Sequence, residues 1–280
     1  MHIAPFNNQN KAIIDVRDAY VPLTYFNIVK LTRGDRFEYA TPGYETCIVP
    51  ATGQIDAVVA DVTVEKLGLR GDDVWDGEPE GVYVPSGVTA EMICLSEAAE
   101  IFVAGAKFDQ TLTPFAIRAN DIDKVQYGSD ETKTHRKIKH ILGQRQADQV
   151  GRLLVSELFT VGQGGWSGFP PHKHDTDRLP DETRHDEVYN FRFKPDHGFG
   201  MQLLQPSDGS RGEAVHIVDG STFAIKAGYH PCVVAPGYEM YYFTILGGLS
   251  QRPLMQYFQP EHAWQIETIP GITDMIAKFK

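Results

Sequence analysis

Short apolar runs, each bounded by Gly, Pro, Asn or Asp, recur along most of the chain. "YETCIVP" (44–50), "GQIDAVVADV" (53–62), "GVYVPSG" (81–87), "AEIFVAGAKF" (99–108), "GRLLVSELFTV" (151–161), "EVYNFRF" (187–193), "GFGMQLL" (198–204) and "YEMYYFTIL" (238–246) are rich in Val, Ile, Tyr, Phe and Thr. Residues of this kind, punctuated by turn formers, predict strands. Helical periodicity is weak: it predicts short helices only around Glu97–Glu100 and in "GITDMIAKF" (271–279). Many short strands and few helices predict an all-β chain of sandwiches or barrels.

The order of elements is echoed. In the first half, strands lead through the turn "VPSG" (84–87) into a further strand; in the second half, "IKAG" (225–228) does the same. This fits two copies of one β-barrel. We divide the chain near Arg118, with an N-terminal barrel over 1–118 and a junction plus C-terminal barrel over 119–280.

Composition narrows the function. Basic residues number 26 and acidic residues 37, for a formal charge of −11, which disfavours a nucleic-acid partner or an anionic membrane. The basic run "KTHRKIKH" (133–140) reads as a solvated strand edge or a domain contact. The three cysteines, Cys47, Cys94 and Cys232, are odd in number and form no CxxC, so a disulfide framework is not expected and a reducing cytoplasm is. The N-terminus lacks a basic segment followed by an apolar one, so no signal peptide is expected. No apolar run approaches the roughly 20 residues needed to span a bilayer.

The chemistry concentrates in the second half. His172 and His174 are two apart, so on a strand both imidazoles face one side. Glu187 heads a strand whose same face carries Tyr189, Phe191 and Phe193, while Val188, Asn190 and Arg192 take the other. A carboxylate among aromatics is costly unless a cation compensates it. His230 follows a glycine turn and shares its face with Cys232 and Val234. Three imidazoles and a carboxylate suit Zn, Mn, Fe or Ni. Read singly, an HxH pair in a loop is more often surface polarity than a ligand pair. His185 reads as a solvated turn residue, and His197, His216 and His262 as residues without special chemistry. Between His2 and His135 there is no histidine, so the expected site lies in the second barrel alone.

The combination of HxH, a strand-heading Glu and a histidine after a glycine turn resembles the cupin pattern. The runs "GGWSGFPPHKHD", "DEVYNFRFKPDHGFGMQLL" and "AGYHPCVVAPGYEMYYFTILGG" resemble the 5-deoxy-glucuronate isomerase family, kin of the 5-dehydro-4-deoxy-glucuronate isomerases, and "GYETCIVPATG" and "GVYVPSG" extend the likeness to the first half. The resemblance implies two cupin-type barrels (a bicupin) and one divalent metal held by His172, His174, Glu187 and His230. Zn or Mn is the first choice and Fe or Ni the second. It also implies conversion of an open-chain 5-deoxy-glucuronate aldehyde to 2-deoxy-5-keto-gluconate. Tyr242 and His185, with Asp186, are candidates for the proton-transfer group. Lys226, Arg192 and Arg184, with Arg178 and Arg136, are candidates for the substrate carboxylate. The first barrel is expected to serve packing or a homo-oligomer interface. The sequence departs from the family pattern in three places, one of them "YNF" (189–191) where a more usual aromatic run follows Glu187. Twelve residues (Asp175 to Asp186) separate HxH from Glu187, and "KAG" precedes Tyr229–Pro231 where the family tends to read Pro-Arg-Gly. An Fe(II) dioxygenase and a non-catalytic sugar-binding bicupin are the rival readings of the same ligands, since fold alone does not set function.

Overall fold

The computed structural model describes residues 1–279. Every apolar run named above contains a strand, and every pairing between strands is antiparallel. The first unit combines a five-stranded sheet (Phe115–Ile117, Gly81–Val84, Tyr44–Thr52, Ala98–Lys107, Thr24–Thr32) with a four-stranded one (Arg36–Tyr39, Ala90–Cys94, Ile55–Val59, Val62–Leu67). The second combines a seven-stranded sheet with a four-stranded one. The larger runs His2–Ile3, Thr222–Ile225, His185–Lys194, Glu239–Gly248, Leu153–Thr160, Arg136–Leu142, Asp123–Tyr127; the smaller runs Gly165–Ser167, Cys232–Val234, Phe199–Leu204, Glu213–Val218. A short ribbon pairs His172–Lys173 with Tyr257–Phe258. The chain passes from one unit to the other between Ile117 and Asp123. Its first strand, however, pairs with Thr222–Ile225, so His2 and Ile3 belong to the second unit's sheet.

The helix expected around Glu97–Glu100 does not form. Ala98–Lys107 is a strand hydrogen-bonded on both sides, and two ladders outweigh a weak local preference. The C-terminal helix forms at Ile272–Ala277.

Unbroken apolar runs arise because the central strands are buried on both faces. On Glu239–Gly248, Met240, Tyr242 and Leu246 point into the second barrel, while Tyr241, Phe243 and Ile245 pack against the first. Opposite them, Phe26, Cys47, Val49 and Phe102 leave the first barrel's face, and the rings of Phe102 and Phe243 stand 4.7 Å apart. The two barrels therefore share one apolar core.

Buried polar groups cross the same boundary. Glu45 of the first unit is fully buried and accepts from the backbone N–H groups of Gly151 (2.8 Å), Arg152 and Leu153 (2.7 Å) and from the Tyr83 hydroxyl (2.6 Å). Arg70 pairs with Glu157, which also accepts from Tyr241. Glu45→Ala leaves three backbone donors of the second unit without their acceptor. It is expected to lower unfolding stability by about 3 kcal/mol or more, read as a shifted denaturant midpoint, with metal content of the folded protein unchanged.

The basic run 133–140 is not a solvated edge. Its strand lies between two others, Arg136 and His140 are buried, and Lys139 reaches the first unit, donating to the Gly77 carbonyl at 2.7 Å and standing 3.3 Å from Glu78. No helix among the described residues is long and apolar enough to cross a membrane.

Candidate metal centre

Strand pairing brings distant residues together at one end of the second barrel. His172 lies opposite Phe258, and Glu187 sits between Ile225 and Leu246. His230 follows the turn at Gly228, whose φ of +93° and 2.7 Å approach to the Gln205 carbonyl admit no side chain. The imidazoles of His172, His174 and His230 are buried, and their donor atoms all lie within 4.8 Å of one another. Glu187 Oε2 stands 3.1 Å from His174 Nε2 and 3.2 Å from His230 Nε2.

The long loop between His174 and Glu187 is tied down by its own acids. Glu182, fully buried, accepts from Lys173 Nζ at 2.7 and 2.9 Å and from the backbone N–H of Asp175 at 2.9 Å. Asp175 in turn accepts from the Gly228 N–H at 2.9 Å, which couples the loop to the turn carrying His230. The acids that made the loop look solvated are its internal fasteners.

The ring tautomers are set by the backbone. His174 Nδ1 donates to the His185 carbonyl at 3.1 Å and His230 Nδ1 donates to the Gly228 carbonyl at 2.8 Å. The Nε2 atoms of these two rings are thereby left facing Glu187, the arrangement in which imidazole ligates a cation. His230 Nε2 is buried and makes no aligned hydrogen bond. Neighbouring donors on an ion with bonds of about 2.1 Å stand about 3.0 to 3.4 Å apart, and the spacings to Glu187 Oε2, 3.1 and 3.2 Å, fall in that range. The donor set fits a divalent metal.

Electrostatics agree. Burial would push the Glu187 carboxyl up, but His174 and His230 outweigh it and hold it well below the usual carboxylate range. Burial pushes His172 well below its usual value, helped by His230 and His174, so it is neutral. Burial also opposes a charge on His174, yet the bond and charge of Glu187 more than offset it and raise the imidazole.

His172 and Glu187 line a narrow cavity of about 40 Å³. Tyr189, Tyr242, Phe169, Leu254, Phe258 and the C-terminal Met275 and Phe279 also line it. The Tyr189 hydroxyl donates to Glu187 Oε2 at 3.0 Å. Tyr242 shares a hydrogen bond with Ser167, and burial drives its phenol far up, so it is a proton donor and not a base at neutral pH.

Other candidates lie elsewhere. His185 is fully buried rather than solvated. Its Nε2 faces the Arg252 carbonyl at 3.1 Å, its Nδ1 faces the Thr183 hydroxyl at 3.3 Å, and it does not line the cavity. Burial, then the nearby His174, pushes it down to about 4. Arg192 faces the first unit and pairs with Glu100 at 2.6 Å; Arg184 is partly exposed, 3.8 Å from Asp186. Lys226 is partly exposed and follows Ile225, the partner of Glu187, so alternation turns it away from the cavity. Among the described residues, the walls of the cavity carry no lysine or arginine. At its inner end, beside Tyr127 and Tyr242, Arg136 is fully buried. Its guanidinium stands 5.4 Å from the centroid of the Tyr242 ring, and among the described residues Nη2 has no partner and no carboxylate pairs with it.

Sequence reasoning missed Tyr189 as a polar contact, taking it only as lining, and missed Gln256 and Thr244 altogether. The alternation that placed Tyr189 beside Glu187 was visible; the pairing that brings Gln256 beside His172 had no local signal.

Two stacked barrels, one of them holding three converging imidazoles and a carboxylate, define a bicupin with a site able to hold a metal ion. The chain belongs to the KduI/IolB family, whose family model matches residues 2–265. A 5-deoxy-glucuronate isomerase from Geobacillus thermodenitrificans (strain NG80-2) is 33% identical over 244 residues, 87% of this chain and 86% of that protein. The crystal structure of an IolB-like protein from Salmonella typhimurium LT2 superposes with a TM-score of 0.86 at 24% identity, covering 94% of this chain and 98% of that one. A variant of Bacillus subtilis oxalate decarboxylase superposes with a TM-score of 0.61 at 11% identity, covering 95% and 83%, a likeness of fold.

Proposed function

We propose that the chain is a metal-dependent aldose–ketose isomerase that converts 5-deoxy-glucuronate to 2-deoxy-5-keto-gluconate in myo-inositol breakdown. The family and the relatives named above support the reaction. The observation that carries the chemistry is the convergence of His172, His174 and His230, with Nδ1 of His174 and of His230 tied to backbone carbonyls and Glu187 Oε2 3.1 and 3.2 Å from the Nε2 atoms of those two. Three imidazoles and one carboxylate suit Zn or Mn. When bound, a divalent ion there supplies Lewis-acid polarisation of a substrate carbonyl.

The chain's own residues account for the rest. Glu187 is ionised. Its Oε2 is occupied by the histidines and Tyr189, whereas Oε1 accepts no hydrogen bond from the described residues. Oε1 is therefore the oxygen we assign to take the proton from C2 of the open-chain sugar and return it to C1. Tyr242, held protonated, serves as a donor at the inner end. Arg136, a buried cation without a carboxylate partner, favours an anionic ligand over a neutral one of the same shape. The apolar lining from Phe169, Leu254, Phe258 and Met275 keeps bulk water from the intermediate. The free, buried cysteines support a reducing, cytoplasmic setting.

The test is turnover of 5-deoxy-glucuronate by protein reconstituted with Zn or Mn, followed by proton NMR in deuterated water. The aldehyde signal should disappear with solvent deuterium entering C1, and glucose should be left unchanged. No conversion with either metal would overturn the reading.

A further inference from the structure

Gln256 immediately precedes the strand Tyr257–Phe258, and that strand's pairing with His172–Lys173 sets its side chain beside the site. Its Nε2 lies 3.0 Å from His172 Nε2, while its Oε1 is buried and has no partner. An amide nitrogen can only donate, so His172 accepts with the lone pair that faces the site. A cation held by the histidines needs that same lone pair. The Gln256 N–H group then loses its acceptor, and the Oε1 beside it already has none. Buried amides are rarely left in that condition. Across the same cavity, Thr244 Oγ1 is also buried and without a partner.

We propose that Gln256 is a substrate-positioning residue whose amide grips the hydroxy-carbonyl end of the sugar, the N–H group donating to the carbonyl oxygen and Oε1 accepting from the adjacent hydroxyl. The proposal rests on the isomerase reading above. The His172 lone pair holds the amide beside the site, and a cation held by His172 would leave that amide free for the substrate. Thr244 supplies a further hydroxyl to the same ligand. The ligand class is an open-chain α-hydroxy aldehyde or ketone, and an analogue without the α-hydroxyl leaves Oε1 unsatisfied.

Gln256→Met keeps the side chain's length and removes its hydrogen bonds. The natural protein and the variant, each loaded with Mn, are titrated with hydroxyacetone and with acetone, and binding is read from the enhanced relaxation of the ligand protons. The natural protein should prefer hydroxyacetone by about tenfold or more, and the variant should lose that preference. Metal content should be the same in both, and KM for 5-deoxy-glucuronate should rise in the variant. Gln256→Asn, with the amide one carbon shorter, should recover part of the preference. A preference that survives Gln256→Met would overturn the proposal, and so would loss of metal from the variant, which would make Gln256 a ligand. If the natural protein prefers hydroxyacetone yet does not turn over 5-deoxy-glucuronate, the isomerase reading fails and the role of Gln256 stands. If turnover is present and unaffected by Gln256→Met, the reverse holds.

Discussion

His230→Ala is expected to bind metal more weakly by over 100-fold and to have no measurable turnover. Removing even a group that merely orients a ligand costs about 10- to 100-fold in affinity, and His230 is placed to be a ligand itself. Its Nδ1 is committed to Gly228, its buried Nε2 has no aligned partner, and Glu187 Oε2 lies 3.2 Å away. The loss leaves two imidazoles and one carboxylate, a weaker hold on the ion than the full set of four. Metal analysis after dialysis, with a chelator competition for affinity, measures the effect. A thermal melt separates it from misfolding, and added imidazole should restore part of the metal. His197→Ala is the control, because its side chain is 71% exposed and far from the site in the fold. Full metal content in His230→Ala would remove this residue from the ligand set.

Glu187→Gln should lower kcat by about 10³-fold, within the 10²–10⁴ range of a positioned acid–base group. The substitution keeps shape and one oxygen but deletes the charge that His174 and His230 gather around and the basic oxygen that faces the cavity. Exchange of solvent deuterium into C1 should vanish with turnover. Tyr189→Phe removes only the 3.0 Å bond to Oε2, so its loss should be about tenfold or less. A Glu187→Gln protein that kept a tenth of its kcat would mean that another group moves the proton.

The strands were legible because their alternation reports burial directly. A period of two on "EVYNFRF" places Glu187, Tyr189, Phe191 and Phe193 on one face, and all four lie in the second barrel. The HxH spacing likewise aligns His172 with His174, and the site found in the structure includes both. The helix expected near Glu97 failed for the opposite reason: its local pattern was weak, and two flanking strands decided the matter. His185 reads as a turn residue from its polar neighbours, yet it begins the long strand and is fully buried. Of the loop's acids, Glu182 is held by Lys173 and the Asp175 N–H, and Asp175 by Lys173 and the Gly228 N–H.

The cations show where one-dimensional reasoning stops. Lys226, Arg192 and Arg184 were singled out by nearness in sequence to the histidines. Strand alternation turns Lys226 and Arg192 outward, and Arg192 ends on Glu100 of the other unit. Arg136 sat unranked in a basic run, and only the closing of the sheets buries it without a counterion beside Tyr242. That His172 and His174 share one face, and that Glu187 shares another with Tyr189, Phe191 and Phe193, follows from patterns a few residues long, because side-chain direction along a strand is a local property. Which cation stands near the cavity, which hydroxyl and amide line it, and how Glu45 fastens one unit to the other depend on register between strands up to a hundred residues apart. Register is set by the packing of the whole core, and no short stretch of sequence contains it.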